Sequence, residues 1–142
     1  MMTLYQKAQT FGGLVVGTGN KVEDFGVGFY TKYGDGGVDI SPIADLYKTE
    51  VWDLGKELGI DQRIIDAEPT DGLWEDDRKD ADQLHGMTYP DLEWCMQNCD
   101  APVDDMTEQE IDNIELYKII RSRNLHKMNP IPVFTKNLGG VT

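Results

Sequence analysis

The chain has 142 residues, with 26 acidic against 13 basic side chains and a formal net charge of −13. That length allows one domain with a sizeable core, and 39% hydrophobic residues together with 15 glycines exclude wholesale disorder. The acid excess argues against nucleic acid and anionic membranes as partners, because polyanions are held by clustered Lys and Arg; an anionic ligand needs a locally basic pocket or a divalent cation.

Residues 1–10 place Leu4, Tyr5 and Ala8 at helical spacing, and Gly12-Gly13 closes the run. With no N-cap signal ahead, this reads as the second half of a helix whose start is missing. Leu14-Val15-Val16 is a short apolar run, the pattern of a strand buried on both faces in a parallel sheet. Residues 17–43 hold seven glycines and keep no helix or strand period. Asp45 is then placed to cap a helix with Val51, Leu54 and Leu58 on its apolar face and Gly59 at its end. Asp61 caps a short helix carrying Ile64 and Ile65.

Residues 71–86 are crowded with acidic side chains and read as a solvated, mobile loop. Pro90 suits the first turn of a helix running to about Gln97, and Thr107 with Glu110 forms a capping box continued by Ile111, Ile114 and Tyr117. After Asn124 an irregular tail is expected. Cys95 and Cys99 lack a second pair for a disulfide framework or zinc site and suit two reduced structural thiols in a cytoplasmic protein. No apolar stretch approaches the roughly 20 residues of a membrane span. One strand and four or five helices make a lopsided α/β domain, with most of its sheet expected elsewhere.

Several segments have chemistry to offer. Gly17-Thr18-Gly19-Asn20-Lys21 leaves the strand as a turn, where small residues let a backbone approach a phosphate; it is neither a dinucleotide fingerprint nor a Walker A loop, and a structural turn explains it equally well. Glu23 is either an exposed helix-start glutamate or a Mg²⁺ ligand beside a polyphosphate. Residues 29–39 (FYTKYGDGGVD) combine aromatics, a cation, carboxylates and glycines. They suit a pocket that stacks a ring, pairs an anion and binds a sugar, while an EF-hand reading fails on ligand spacing. Lys48 falls in the first turn of a helix, where it is either plainly exposed or paired with something negative such as phosphate. His126-Lys127 is a plain surface pair on its own.

Taken together, Gly17 through Lys21 with Glu23, residues 29–39, Pro42-Ile43 with Asp45-Leu46-Tyr47-Lys48, and Glu68-Pro69-Thr70 closely resemble the carboxyl-terminal half of the NAD synthetase family. The match runs from about Met1 to Tyr89, with a weaker one at His126-Lys127. The resemblance implies a partial doubly wound parallel α/β sheet of the adenine-nucleotide α-hydrolase type (an N-type ATP pyrophosphatase), with a helix-rich carboxyl-terminal half. It implies a cytoplasmic homodimer in which ATP and Mg²⁺ activate deamido-NAD as an acyl-adenylate, releasing pyrophosphate; ammonia, for which a glutaminase domain is one source, then displaces AMP.

By the same resemblance, Thr18, Lys48 and Thr70 match ATP-contacting positions, with Lys48 in the catalytic role, and Glu23 matches the Mg²⁺ ligand. Lys32, Asp39, His126 and Lys127 match positions that bind deamido-NAD, and residues 71–86 match a lid. The family's Ser-Gly-Gly-x-Asp-Ser loop is absent, so residues 1–142 are expected to be inactive alone. Residues 23–28 (EDFGVG) carry one residue more than the family pattern, and Asp80-Ala81-Asp82 stands where an Asp-Glu pair is usual. A related amide ligase with a different pocket at residues 32–39, or a non-catalytic nucleotide-binding or dimerisation module, are the alternatives.

Overall fold

A computed structural model describes residues 1–70, 72, 75 and 79–136. Helix α1, Met2–Phe11, ends as expected at Gly12, whose φ of 66° is the left-handed geometry that glycine supplies without a Cβ penalty. The strand expectation needs correction. Only Val15 of the apolar run is buried; Leu14 and Val16 are 64% and 54% exposed. Among the described residues the sole β pairing is an isolated parallel bridge between Val16 and Ile40. A strand is covered on both faces only when helices flank an extended sheet on both sides, and here one bridge stands in for that sheet.

The glycine-rich stretch contains an element that the periodicity hid. Val22–Val27 is a π-helix closed by Gly28 at φ 66°, whose N–H reaches back to the Glu23 carbonyl. An i→i+5 turn takes one residue more than an α-helical one, so the 3.6-residue period does not mark it in the sequence. Helix α2, Lys48–Glu57, starts later than expected: Glu50 takes the N–H of Tyr47 at 2.7 Å, while Asp45 is spent on an ion pair with Lys21 at 2.9 Å. Its expected apolar face is largely open, with Leu54 42% and Leu58 70% exposed. Trp52 instead faces inward, meeting Tyr89 edge-on at 6.3 Å.

Helix α3, Gln62–Ile65, is capped by Asp61 as predicted, and α4, Asp80–Gln83, lies within the acidic segment. Helix α5, Tyr89–Asn98, begins at a Thr88–Asp91 capping box with Pro90 in its first turn. Helix α6, Glu108–Met128, begins at the Thr107–Glu110 box and runs past Asn124 to Met128, so His126 and Lys127 lie in its last turn rather than in an irregular tail. The core lies where the π-helix, α5 and α6 meet, around Val22, Val27, Leu92, Cys95, Ile114 and Tyr117. Both cysteines are free thiols. No helix among the described residues is long and apolar enough to cross a membrane.

Candidate active site

The site is assembled around the π-helix. Asn20 is buried, and its Oδ1 accepts the N–H groups of Val22 at 3.0 Å and Glu23 at 3.2 Å; Glu23 Oε2 returns the favour to the Asn20 N–H at 3.1 Å. This is a capping box, and its sequence signature, Asn20 with Glu three residues on, is readable without coordinates. Glu23 Oε1 faces two other side chains. It lies 2.7 Å from the Tyr89 hydroxyl and 3.4 Å from Lys48 Nζ, which in turn sits 4.9 Å over the Tyr89 ring.

Lys48 opens α2, where the helix dipole is positive. Its negative partners in this structure are carboxylates: Glu23, and on the next residue Glu93, which accepts the Thr49 N–H at 3.0 Å. The helix start therefore does not depend on phosphate for its compensating charge.

On the other side of the π-helix is a cavity of about 200 Å³ whose lining includes Gly17, Gly19, Asp24, Tyr30, Asp35 and Lys127. A Cβ on Gly17 would lie 2.7 Å from Val38 Cγ2, and one on Gly19 would lie 2.2 Å from Asp24 Oδ1. The turn is thus glycine-rich because side chains fill its inner face. Desolvation first, then Glu23 and Asp35, push the Asp24 carboxyl up to about 6. Asp24 carried no signal at the level of sequence, because its direction is set by the π-turn.

Helix α6 braces this arrangement from below. Arg121 Nη1 donates to the Phe25 carbonyl and, at 2.7 Å, to that of Gly26; Asn124 Nδ2 donates to the Val27 carbonyl at 2.9 Å. Lys127 Nζ donates to the carbonyls of Gly28 and Tyr30 at 2.7 and 2.6 Å, and desolvation lowers its pKa. Lys32 Nζ donates to the His126 carbonyl at 2.5 Å. Arg121 and Asn124 were missed in the sequence, although 121, 124 and 127 share one helix face.

The residues singled out by resemblance fall into groups. Glu23 and Lys48 meet directly, and Lys32, His126 and Lys127 share the seam between residues 28–32 and α6. Asp39 stands apart, accepting the Val15 N–H at 2.8 Å and the Tyr5 hydroxyl at 3.4 Å. Thr18 is exposed between the two turn glycines, and Thr70 is exposed where the acidic segment begins, accepting the Gly72 N–H at 3.2 Å.

Of the expected lid, residues 71, 73, 74 and 76–78 lie outside the described residues. Its far end is not a solvated loop: Asp80 is buried, accepts from the Tyr89 hydroxyl at 2.9 Å, and donates its N–H to the Pro69 carbonyl at 3.0 Å. Lys79 beside it pairs with Glu68. Among the described residues no three His, Cys, Asp or Glu side chains gather as a ready-made metal cage.

The family model described as NAD synthase matches residues 1–130. The chain belongs to the NAD synthase family. An NH3-dependent NAD+ synthetase from Methanococcoides burtonii is 50% identical over 97 residues, which are 68% of this chain and 36% of that protein. One from Methanosarcina mazei is 38% identical over 138 residues, covering 94% and 53%. Among solved structures, the NMN synthetase of Francisella tularensis superposes with a TM-score of 0.76 at 31% identity, over 96% of this chain and 52% of that one. The NH3-dependent NAD synthetase of Campylobacter jejuni, in complex with the nitrate ion, gives 0.69 at 22% identity, a likeness of fold, over 95% and 51%. This member of the NAD synthase family thus spans about half the length of those proteins, or less. The likeness fits an α/β synthetase fold, of whose sheet the described residues contribute one bridge.

Proposed function

We propose that the chain is the carboxyl-terminal portion of a cytoplasmic NAD synthase that amidates deamido-NAD at the expense of ATP, working as a homodimer on a doubly wound N-type ATP pyrophosphatase sheet. The observation that carries this reading is the Glu23–Lys48 pair, 3.4 Å apart beside the glycine turn that leaves Val16. The relatives' names, which specify NAD+ and NH3, support the product and the nitrogen source.

In the reaction, a carboxylate oxygen of deamido-NAD attacks the α-phosphorus of ATP and pyrophosphate leaves; ammonia then attacks the acyl carbon, AMP departs, and the nitrogen sheds a proton. Two anions meet in the first step, so preorganised cations lower its barrier most. An ammonium has three N–H donors and Lys48 uses one on Glu23, which leaves two to hold phosphate oxygens. Lys127 similarly has one donor left for the cavity after its two carbonyl bonds. Lys32, Asp39 and His126 are assigned to deamido-NAD, and Thr18 and Thr70 to ATP.

Magnesium suits this donor set. It is usually held by one or two carboxylates with phosphate oxygens and water completing the shell, so the single carboxylate of Glu23 is a sufficient protein contribution. Three donors already point at Glu23, from Asn20, Lys48 and Tyr89, against roughly four lone-pair sites on a carboxylate. When bound, the ion neutralises charge building on the phosphate. The 142 residues alone are assigned no activity.

The test compares this chain with a polypeptide restored to its relatives' full length, given ATP, Mg²⁺, deamido-NAD and ammonium. The restored enzyme is expected to form NAD and AMP in equal amounts, and the short chain none. ATP cleavage without NAD would overturn the reading. Because one structural neighbour is an NMN synthetase, the mononucleotide counterpart is the competing substrate; its preferential amidation would move the assignment there.

A further inference from the structure

Tyr89 touches more of the candidate site than any single role requires. It is the first residue of α5 and is 5% exposed. Its hydroxyl lies 2.7 Å from Glu23 Oε1 and 2.9 Å from Asp80 Oδ2, so it stands between the π-helix and α4. Its ring lies under Lys48 Nζ at 4.9 Å and meets Trp52 of the same helix edge-on. A phenol has one proton, and both neighbours are carboxylate oxygens, so it donates to one of them at a time. Burial, reinforced by both carboxylates, pushes its ionisation far up, which keeps that proton in place.

We propose that Tyr89 is a positioning residue: its one hydroxyl proton is shared between Glu23 and Asp80, tying the geometry of the Glu23–Lys48 pair to the seating of α4. The inference rests on the reading of Glu23 and Lys48 as the nucleotide-facing pair. When Glu23 Oε1 is free, it competes with Asp80 for the hydrogen bond. When Oε1 takes another partner, the hydroxyl turns to Asp80 and α4 is held more firmly. Coupling of this kind is reciprocal, so whatever unseats Asp80 also changes how readily Glu23 accepts a new partner.

Tyr89→Phe isolates the hydroxyl, because the ring under Lys48 and against Trp52 is kept. It is combined with Glu23→Gln and Asp80→Asn in all eight combinations, and unfolding equilibria are measured in urea. The expected loss for Tyr89→Phe is on the order of ten-fold in the folding equilibrium constant, as for a hydrogen bond to a charged group. The signature of a shared proton is that coupling between positions 89 and 23 grows when Asp80 is replaced. A Tyr89→Phe loss that is the same in all four backgrounds overturns the proposal.

Should Tyr89→Phe fail to fold, 3-fluorotyrosine in the otherwise unaltered chain serves instead. Its ¹⁹F resonance at position 89 is expected to move with both Glu23→Gln and Asp80→Asn, and a line indifferent to either overturns the proposal. In the restored-length enzyme, Tyr89→Phe is expected to raise KM for ATP at limiting Mg²⁺ several-fold and to be rescued by excess Mg²⁺. A fall in kcat with KM unchanged contradicts positioning. An enzyme with unaltered Tyr89 that makes no NAD overturns the functional reading instead, and the unfolding cycle still decides this one.

Discussion

Glu93 closes the amino end of the helix that carries Lys48, accepting both the N–H of Thr49 at 3.0 Å and its hydroxyl at 2.7 Å. The carboxylate is buried, so the helix dipole and these two donors supply the compensation that water would otherwise give. Glu93→Ala leaves both donors without their acceptor and is expected to cost about 2–3 kcal/mol, with Glu93→Gln losing roughly half of that. The check is a shift in the urea midpoint at constant m.

Gly28 combines two demands. Its φ is +66°, and a Cβ there would lie 2.6 Å from Asn124 Cβ and 2.9 Å from Met128 Cε. Gly28→Ala therefore adds left-handed strain to overpacking against α6, for about 2–4 kcal/mol of destabilisation. Gly59→Ala is the control: φ is +71° with nothing within 4 Å of the new methyl, so only about 1 kcal/mol is expected. Equal losses at the two positions would show that packing on α6 is not the cause.

Asp24 predicts a pH effect of definite sign. Its folded carboxyl titrates at about 6 against an ordinary 3.8. Between those values the folded state holds more protons than the unfolded one, so this group makes stability fall as pH rises through that window. Asp24→Asn lacks the slope. The variant is expected to gain on the unaltered chain from about pH 4 to pH 6 and to hold its lead above, as read by denaturation at each pH.

The caps were legible because they are local. Asp61 and the Thr107–Glu110 box each announce a helix start within four residues and both form, whereas Asp45 pairs with Lys21. Asn20 with Glu23 and Thr88 with Asp91 carry the same local signal but are not among the predicted caps. What failed depended on partners far along the chain. Leu14 and Val16 look like a buried strand, yet burial requires neighbours on both faces. Helix α6 outruns its expected end because Asn124 and Lys127 find carbonyls at residues 27–30. The site was half legible: residue types marked Glu23 and Lys48, whereas Asp24, Arg121 and Tyr89 acquire meaning only once the π-turn is drawn.

Arg121 and Asn124 hold consecutive carbonyls of that turn. Arg121→Ala is expected to cost about 1–3 kcal/mol and Asn124→Ala about 1 kcal/mol. Because both fasten the same turn, the double variant should lose less than the sum. Strict additivity in thermal or urea unfolding would mean that the two bonds act on separate units.

Lys48→Ala in the restored-length enzyme is expected to lower kcat by about 10²–10³, the usual loss of one preorganised charge partner. Unchanged kcat would remove Lys48 from the phosphate.

The brace on α6 also sets an order of events during synthesis. Arg121, Asn124 and Lys127 lie 95, 97 and 99 residues downstream of the carbonyls they hold at Gly26, Val27 and Gly28. The ribosome therefore delivers Glu23 and Asp24 long before their support. Until the last turn of α6 emerges, those carbonyls have only water to bind, and closing so long a loop is a slow step in folding. A nascent chain stalled before Arg121 would carry every residue of the Glu23–Lys48–Tyr89 cluster and still lack the side chains that hold the π-turn beside them.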